Sequence, residues 1–203
     1  DVLGCGRTLI QLTADRFEGI CDPENIWVVT SEQYASIVRE QLPDIPEENI
    51  LKEPCRRNTA PCIAYVSWKI KAKNSKANII VTPSDHVVMN VKEFKRVVES
   101  AMNFTESSDA ILTLGMTPTR PETGYGYIEA DLTVSSSTNR EIYRVDSFKE
   151  KPDLQTAERY IKRNNYFWNA GIFVWNVKTI VNAFRVYQPA IAAIFDNIRP
   201  SFF

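Results

Sequence analysis

"ANIIVTPSDH", residues 77 to 86, runs a series of β-branched residues into Pro83 and then sets down a carboxylate. A short apolar run of this kind reads as a buried strand, and the proline stops it. Asp85 then stands just past the strand's carboxyl end, where ligands of open α/β sheets collect. Outward from this stretch the text alternates. Upstream, "TLIQLTADRF" reads as a helix, "IWVVT" as a buried strand, "SEQYASIVREQL" as a helix opened by a Ser31 cap, "NILKEP" as a short strand and "TAPCIAYVSWKIK" as a helix. Downstream come the helix "VKEFKRVVESAMNF" and the strand "AILTLGM". The βαβα rhythm of the first 115 residues predicts a mostly parallel sheet covered on both faces.

After Gly115 the text turns strand-rich. "GYGYIEA", "EIYRVDSFKEKP" and "FWNAGIFVWNV" are interrupted by one helix, "DLQTAERYIKRN", and followed by a helical tail from Lys178 to Ile198. This half is expected to extend or cap the sheet and close a cleft. Only short polar breaks, "KNSK" and "SSSTN", separate the segments, and no internal repeat shows. One domain over residues 1–203 is expected, with halves at 1–115 and 116–203.

The chain has 203 residues and a formal net charge of −1, so no global field favours nucleic acid or a membrane surface as partner. Any phosphate must be held locally. No stretch reaches the length of a membrane span, and "DVLGCGRTLI" lacks the regions of a signal peptide, which makes the cytoplasm the expected location. The four cysteines and the single His86 show no paired ligand spacing, so free thiols are expected rather than a zinc site or a disulfide framework.

Four stretches carry candidate chemistry. Asp85 suits a hard cation, since magnesium takes one or two carboxylates together with phosphate oxygens and water; the alternative is a cap on the turn or the following helix. "EPCRRNTAP", residues 53–61, follows a strand and opens a helix, with Thr59 as the expected cap and Pro61 in the first turn. Helix N-termini attract anions, and Arg56 and Arg57 can serve a phosphate or stand in solvent. Glu53 can accept the N1–H and amine protons of guanine. In "FKEKPD", residues 148–153, Glu150 can accept from sugar hydroxyls and Lys151 offers a compact charge to a phosphate, unless the pair is only an exposed strand end. Alternation along a strand would separate them, and a twist or bulge would reunite them. In "FWNAGIFVW", Asn169 and Gly171 are either an amide presented to a ligand with room beside it or a bulge in a buried strand.

Taken in order and at their intervals, "EPCRRNTAP", "TPSDH", "GMTPTRPETGYGYIE", "FKEKPD" and "WNAGIF" resemble the mannose-1-phosphate guanylyltransferases, across nearly the whole chain. The resemblance implies a three-layer α/β/α, Rossmann-like nucleotide-diphosphosugar transferase fold with a mixed sheet, Mg²⁺ as cofactor, and GTP and mannose 1-phosphate as partners. It implies the metal-binding aspartate at Asp85, the sugar-hydroxyl acceptor at Glu150, the sugar-phosphate lysine at Lys151, a further sugar contact at Asn169 and a sugar-facing backbone N–H at Gly126. Glu53 and Asn58 fall on the guanine side. Gly124 and Gly126 would then be glycines because a side chain there would fill the volume of the hexose or keep the backbone from it; the plainer reading is a turn entering a strand. Asp85, Glu150, Lys151 and Asn169 are expected to share one cleft.

Two departures bear on activity. Members of the family begin with a glycine-rich loop that cradles the triphosphate, and they carry a second metal-binding aspartate past the equivalent of Phe203. Neither is in this chain, so the resemblance implies a domain whose first strand is missing and little turnover from these 203 residues alone. The unpaired sheet edge so implied would recruit another chain, a homodimer included. A noncatalytic sugar-nucleotide-binding module, or a pyrophosphorylase for another base or hexose 1-phosphate, are the alternative functions.

Overall fold

The computed structural model describes residues 1–55, 57–137, 139 and 141–198. In chain order the elements are α1 (Leu9–Asp15), β1 (Val28–Ser31), α2 (Ala35–Gln41), β2 (Ile50–Glu53), α3 (Thr59–Lys73), β3 (Asn78–Val81), α4 (Val91–Glu106), β4 (Ile111–Met116), β5 (Tyr127–Ser135), β6 (Tyr143–Lys149), α5 (Leu154–Arg163), β7 (Tyr166–Asn176), α6 (Val177–Tyr187) and α7 (Pro189–Asp196). They fall into two compact units.

The first unit combines Asp1–Ile79, Pro83–Ile111 and Trp175–Phe203. Its strands β1 and β2 run parallel, with Val28 opposite Ile50 and Ser31 opposite Glu53. Ala35, Val38, Leu42, Ile45 and Ile50 form a buried cluster against them, joined by Ile10, Ala14, Ile26 and Val28. Asn49 is fully buried and its amide donates to the carbonyls of Glu24 and Ile26 at 2.8 and 3.1 Å, so the turn before β2 loses no hydrogen bond on burial. Trp68 of α3 ties in the last two helices. Its ring lies 6.1 Å from that of Phe184 and 5.5 Å from that of Phe195, and its indole N–H donates to Asp196 at 3.1 Å. Arg185 holds the same carboxylate with two hydrogen bonds, at 2.9 and 2.7 Å.

The second unit comprises Ile80–Thr82 and Leu112–Val174. Its sheet has the order β3-β7-β5-β6, with β4 also pairing β7. Strand β5 is antiparallel to both β6 and β7, and its register with β6 shifts at Glu129/Ala130 and at Asp131/Ser135. Helix α5 covers one face. Its Ala157 packs with Tyr127 and Tyr166 in a buried cluster, and Tyr160 stacks on Tyr166 with ring centroids 4.1 Å apart. The helix starts where Asp153 accepts from the Thr156 amide at 2.7 Å and ends at Asn164, whose φ of +60° is left-handed.

Several expectations are corrected. The first 115 residues do not make one parallel sheet: β1 and β2 stand as a two-stranded sheet, and β3 and β4 pair with the late strand β7. The whole is mixed because β5, β6 and β7 are joined by antiparallel pairing. Ser31 opens a 3₁₀ turn over Glu32–Tyr34 before α2, and its hydroxyl makes no capping bond. Asn58, not Thr59, is the capping residue of α3. The helical tail breaks between Tyr187 and Pro189, since proline is accepted only in the first turn of a helix. The compact units are discontinuous in sequence: α6 and α7 return to the unit that holds α3, where Phe184 and Phe195 pack on Trp68.

Candidate functional site

In the second unit the loop between β4 and β5 meets the end of β6 and the middle of β7. Gly126 accepts a hydrogen bond from the Asn169 amide at 2.8 Å, which fixes the backbone just before β5 against β7. A Cβ placed on Gly126 would lie 3.1 Å from the Glu150 carboxylate, 3.7 Å from Asn169 Cβ and 3.8 Å from the Lys149 carbonyl. Its φ is not in the left-handed region, so the requirement for glycine here is closeness of neighbours rather than backbone freedom. A Cβ on Gly124 would stand 3.3 Å from Glu122 Oε1.

Glu150 and Lys151 lie past the end of β6, outside strand alternation. Lys151 has φ +40°, a left-handed value that costs a residue with a side chain of order 1–3 kcal/mol. That turn sets the Lys151 ammonium 3.6 Å from Glu150 Oε1, so neighbours in sequence act on the same side. Asn169 accepts from the Gly171 amide at 2.9 Å and from the Thr113 hydroxyl at 3.4 Å. Gly171 itself has φ +66°, so β7 is irregular at this point and the asparagine oxygen stabilises the irregularity. The strand irregularity expected of "WNAGIF" is thus present, and the Asn169 Nδ2 protons bond to no described residue.

Gly126, Glu150, Lys151 and Asn169 are thus brought together, whereas Asp85, Glu53 and Asn58 belong to the first unit. Asp85 follows β3 with its side chain 77% exposed and His86 Nε2 3.8 Å away. It does not cap the next helix: Asn90 does, accepting from the Glu93 amide at 3.1 Å. Among the described residues no group of three or more His, Cys, Asp or Glu side chains could hold a metal ion. One exposed carboxylate with room for water and phosphate oxygens nevertheless fits the way magnesium is held beside a nucleotide.

Glu53 ends β2 and lines a polar hollow with Ser31, Glu32, Gln33, Pro54 and Cys55. The Ser31 hydroxyl is buried there without a partner. Burial, and secondly the charge of Glu53, pushes the Cys62 thiol up to about 11. All four cysteines are free. Asn58 has φ +66° and ψ −172°, a combination that only glycine adopts easily, and its side chain makes no capping bond to α3. Strain at Asn58 and at Lys151 marks two of the residues singled out from the sequence. Arg56 lies outside the described residues, and Arg57 is exposed.

Sequence reasoning missed Glu122 and Tyr127, which shape the glycine loop. Tyr127 is fully buried, and its hydroxyl both accepts from the Glu122 amide at 3.0 Å and donates to the Glu122 carbonyl at 2.9 Å. The signal available was the acidic residue two positions before Gly124, a spacing that lets a side chain close a turn.

The second unit thus carries an acid–lysine pair beside a close-packed glycine loop, and the first unit, separately, an exposed carboxylate past a strand end. Residues 1–198 match the family described as "Nucleotidyl transferase", and the chain belongs to that family. It is 36% identical over 191 residues to a mannose-1-phosphate guanylyltransferase of Escherichia coli, an alignment covering 92% of this chain and 41% of that protein. It is also 36% identical over 167 residues to the xanthan biosynthesis protein XanB of Xanthomonas campestris pv. campestris (strain ATCC 33913), covering 81% of this chain and 34% of that one. The chain therefore spans about two-fifths of the length of the curated relatives it matches. A solved structure from Thermus thermophilus, titled as a mannose-1-phosphate geranyltransferase, superposes with a TM-score of 0.83 at 27% identity, covering 96% of this chain and 56% of that one. Among the described residues no helix is long and apolar enough to cross a membrane.

Proposed function

We propose that this chain is the part of a mannose-1-phosphate guanylyltransferase that holds mannose 1-phosphate, GTP and Mg²⁺ for the reaction yielding GDP-mannose and pyrophosphate. The observation that carries the reading is the cluster around Gly126, where the missing side chain lets the backbone lie close to Glu150 and Asn169, with Lys151 paired to Glu150. Glu150 accepts from sugar hydroxyls, the free amide protons of Asn169 donate to one, and the Lys151 ammonium pairs with the sugar phosphate. In the first unit Glu53 accepts from guanine, Asn58 presents unused polar groups at the start of α3, and Asp85 is the metal ligand. Bound there, Mg²⁺ would neutralise charge on the phosphates.

In the reaction a phosphate oxygen of the sugar 1-phosphate attacks the α-phosphorus of GTP in line; the bond from that phosphorus to the β-phosphate oxygen breaks and pyrophosphate leaves. No protein nucleophile is needed. These residues contribute alignment and charge placement, which is most of what such transfers ask of a protein. The reaction belongs to the full-length protein, and the cytoplasm, where nucleoside triphosphates are held, is its proposed place.

The test is release of pyrophosphate by the full-length protein with mannose 1-phosphate and GTP, with UTP and dTTP as competitors. GTP is expected to be preferred, and Asp85→Asn to lower the rate by about 10² to 10³. Binding of both ligands with no turnover would establish a noncatalytic module instead, and full activity in Asp85→Asn would remove the metal assignment.

A further inference from the structure

The backbone of residues 122 to 126 is fastened at three points, although the segment carries two glycines. At its start the Tyr127 hydroxyl, on the first residue of β5, reaches back to hold both the N–H and the C=O of Glu122. In the middle Glu122 Oε1 accepts from the Gly124 amide at 3.0 Å. Glu122 Oε2 accepts from Arg120 at 3.2 and 3.0 Å. At its end the Gly126 carbonyl takes the Asn169 amide proton at 2.8 Å. Tyr127 is anchored in turn: its ring is fully buried, 5.4 Å from that of Tyr160. Arg120 lies 5.4 Å over the ring of Trp168, which also meets Tyr125 edge-on at 5.3 Å. The Gly124 N–H, and then Arg120, hold the Glu122 carboxyl below the usual carboxylate range, so it stays charged and binding at neutral pH.

We infer that Tyr127 and Glu122 are positioning residues that preset the Gly124–Gly126 backbone for a hexose 1-phosphate. This rests on the proposed function. A glycine pair left loose would have to be ordered by the ligand, at a cost in conformational entropy taken from affinity. Fastening the loop beforehand removes that cost, and it holds the Gly126 backbone close to the Glu150 carboxylate. Neither residue touches the ligand; each acts through the backbone it holds.

The test uses the full-length protein, with Tyr127→Phe, which keeps the ring, and Glu122→Ala, which alters only the loop. Calorimetry with mannose 1-phosphate and separately with GTP, hydrogen exchange of the loop amides, and thermal unfolding are read together. Both variants are expected to speed exchange at Gly124 to Gly126 and to weaken mannose 1-phosphate about tenfold, with GTP affinity and the unfolding temperature little changed. A purely structural role would show as faster exchange with hexose phosphate affinity intact, or as equal losses for both ligands with a lower unfolding temperature; either overturns the inference, as does unchanged exchange. Failure of the wild-type protein to bind mannose 1-phosphate would instead sink the functional reading on which it rests.

Discussion

Two glycines of the second unit show how one residue type serves different ends. A Cβ at Gly126 meets the tip of a flexible carboxylate at 3.1 Å, which can move. Gly126→Ala is therefore expected to fold with an unfolding temperature near that of the wild type and, if Glu150 has its proposed role, to bind mannose 1-phosphate at least tenfold more weakly, measured by calorimetry, because Glu150 is displaced. A Cβ at Gly115 would stand 2.8 Å from Phe167 Cβ, an atom tied to the backbone of β7. Gly115→Ala is expected to cost about 1–3 kcal/mol in denaturant unfolding. The first glycine was legible because glycines are scarce and two fell together between aromatics; the second was not, since its neighbour is distant in sequence. Arg16 was illegible for the same reason. It is 4% exposed; among the described residues its Nε and Nη1 have no partner, while Nη2 donates to the Thr13 hydroxyl and the guanidinium lies over the face of Phe94. Burial alone holds its pKa below the ordinary arginine value. Replacing a buried charge with no acidic partner among the described residues by an apolar chain of similar length removes a desolvation cost, so Arg16→Met is expected to raise the unfolding midpoint. A fall would show that the Thr13 bond and the Phe94 contact outweigh that cost.

Among the elements, the sheet of the second unit is tied by a polar network that alternation alone does not reveal. Glu129 of β5 lies opposite Ser147 of β6 and Tyr166 of β7, and accepts from the Ser147 hydroxyl at 2.9 Å. Its carboxyl is lowered, first by the Tyr166 hydroxyl and then by Ser147, while burial and this bond to Glu129 push Tyr166 up to about 12. The two signs give a two-sided pH dependence. A lowered acid contributes stability that is present above its unfolded value of about 4.3 and lost as pH falls through the folded value. A raised phenol contributes stability that is present below its unfolded value of about 10 and lost as pH climbs toward 12. Tyr166→Phe is expected to flatten the alkaline limb of a stability-versus-pH curve from denaturant midpoints; an unchanged limb would show that the phenol does not titrate with unfolding. Helices such as α5 were readable from the periodicity of local text, but their caps were not: Ser31 and Thr59 were expected to cap and do not, and Asp153, which caps α5, was not singled out. Strand partners were not: β3 and β4 pair with β7, and nothing within four residues of either names that partner.

At the scale of the whole molecule, the first unit is assembled from three separate stretches of chain. Trp68 joins the first of these to the last, together with Tyr65, whose ring stacks on Phe195 at 6.3 Å, and the Ala77 carbonyl, which accepts from the Val177 N–H at 2.9 Å. Trp68→Ala is expected to cost about 3–5 kcal/mol, read as a shift in the denaturant midpoint, since it opens a cavity and leaves Asp196 short of a donor. The halves at 115/116 followed a real change in the text from alternating to strand-rich. A linear reading nevertheless sees where the text changes and not where the chain returns, and the return of α6 and α7 is set by apolar faces that any amphipathic helix displays. In the candidate site, the residues around Gly126 were readable as motifs because close backbone approach leaves a trace in residue type. For Lys151 the text offered a bulge only as one alternative, and the hydroxyl of Tyr127 holding Glu122 across five residues was not visible in it.

That return has a bearing on how the protein is made. A ribosome exposes the N-terminal part first, at roughly 5–20 residues per second, so the indole at position 68 emerges well before its covering rings at 184 and 195. For roughly 6–25 seconds of elongation the nascent polypeptide carries an uncovered apolar face. Slow translation between these points lengthens that interval.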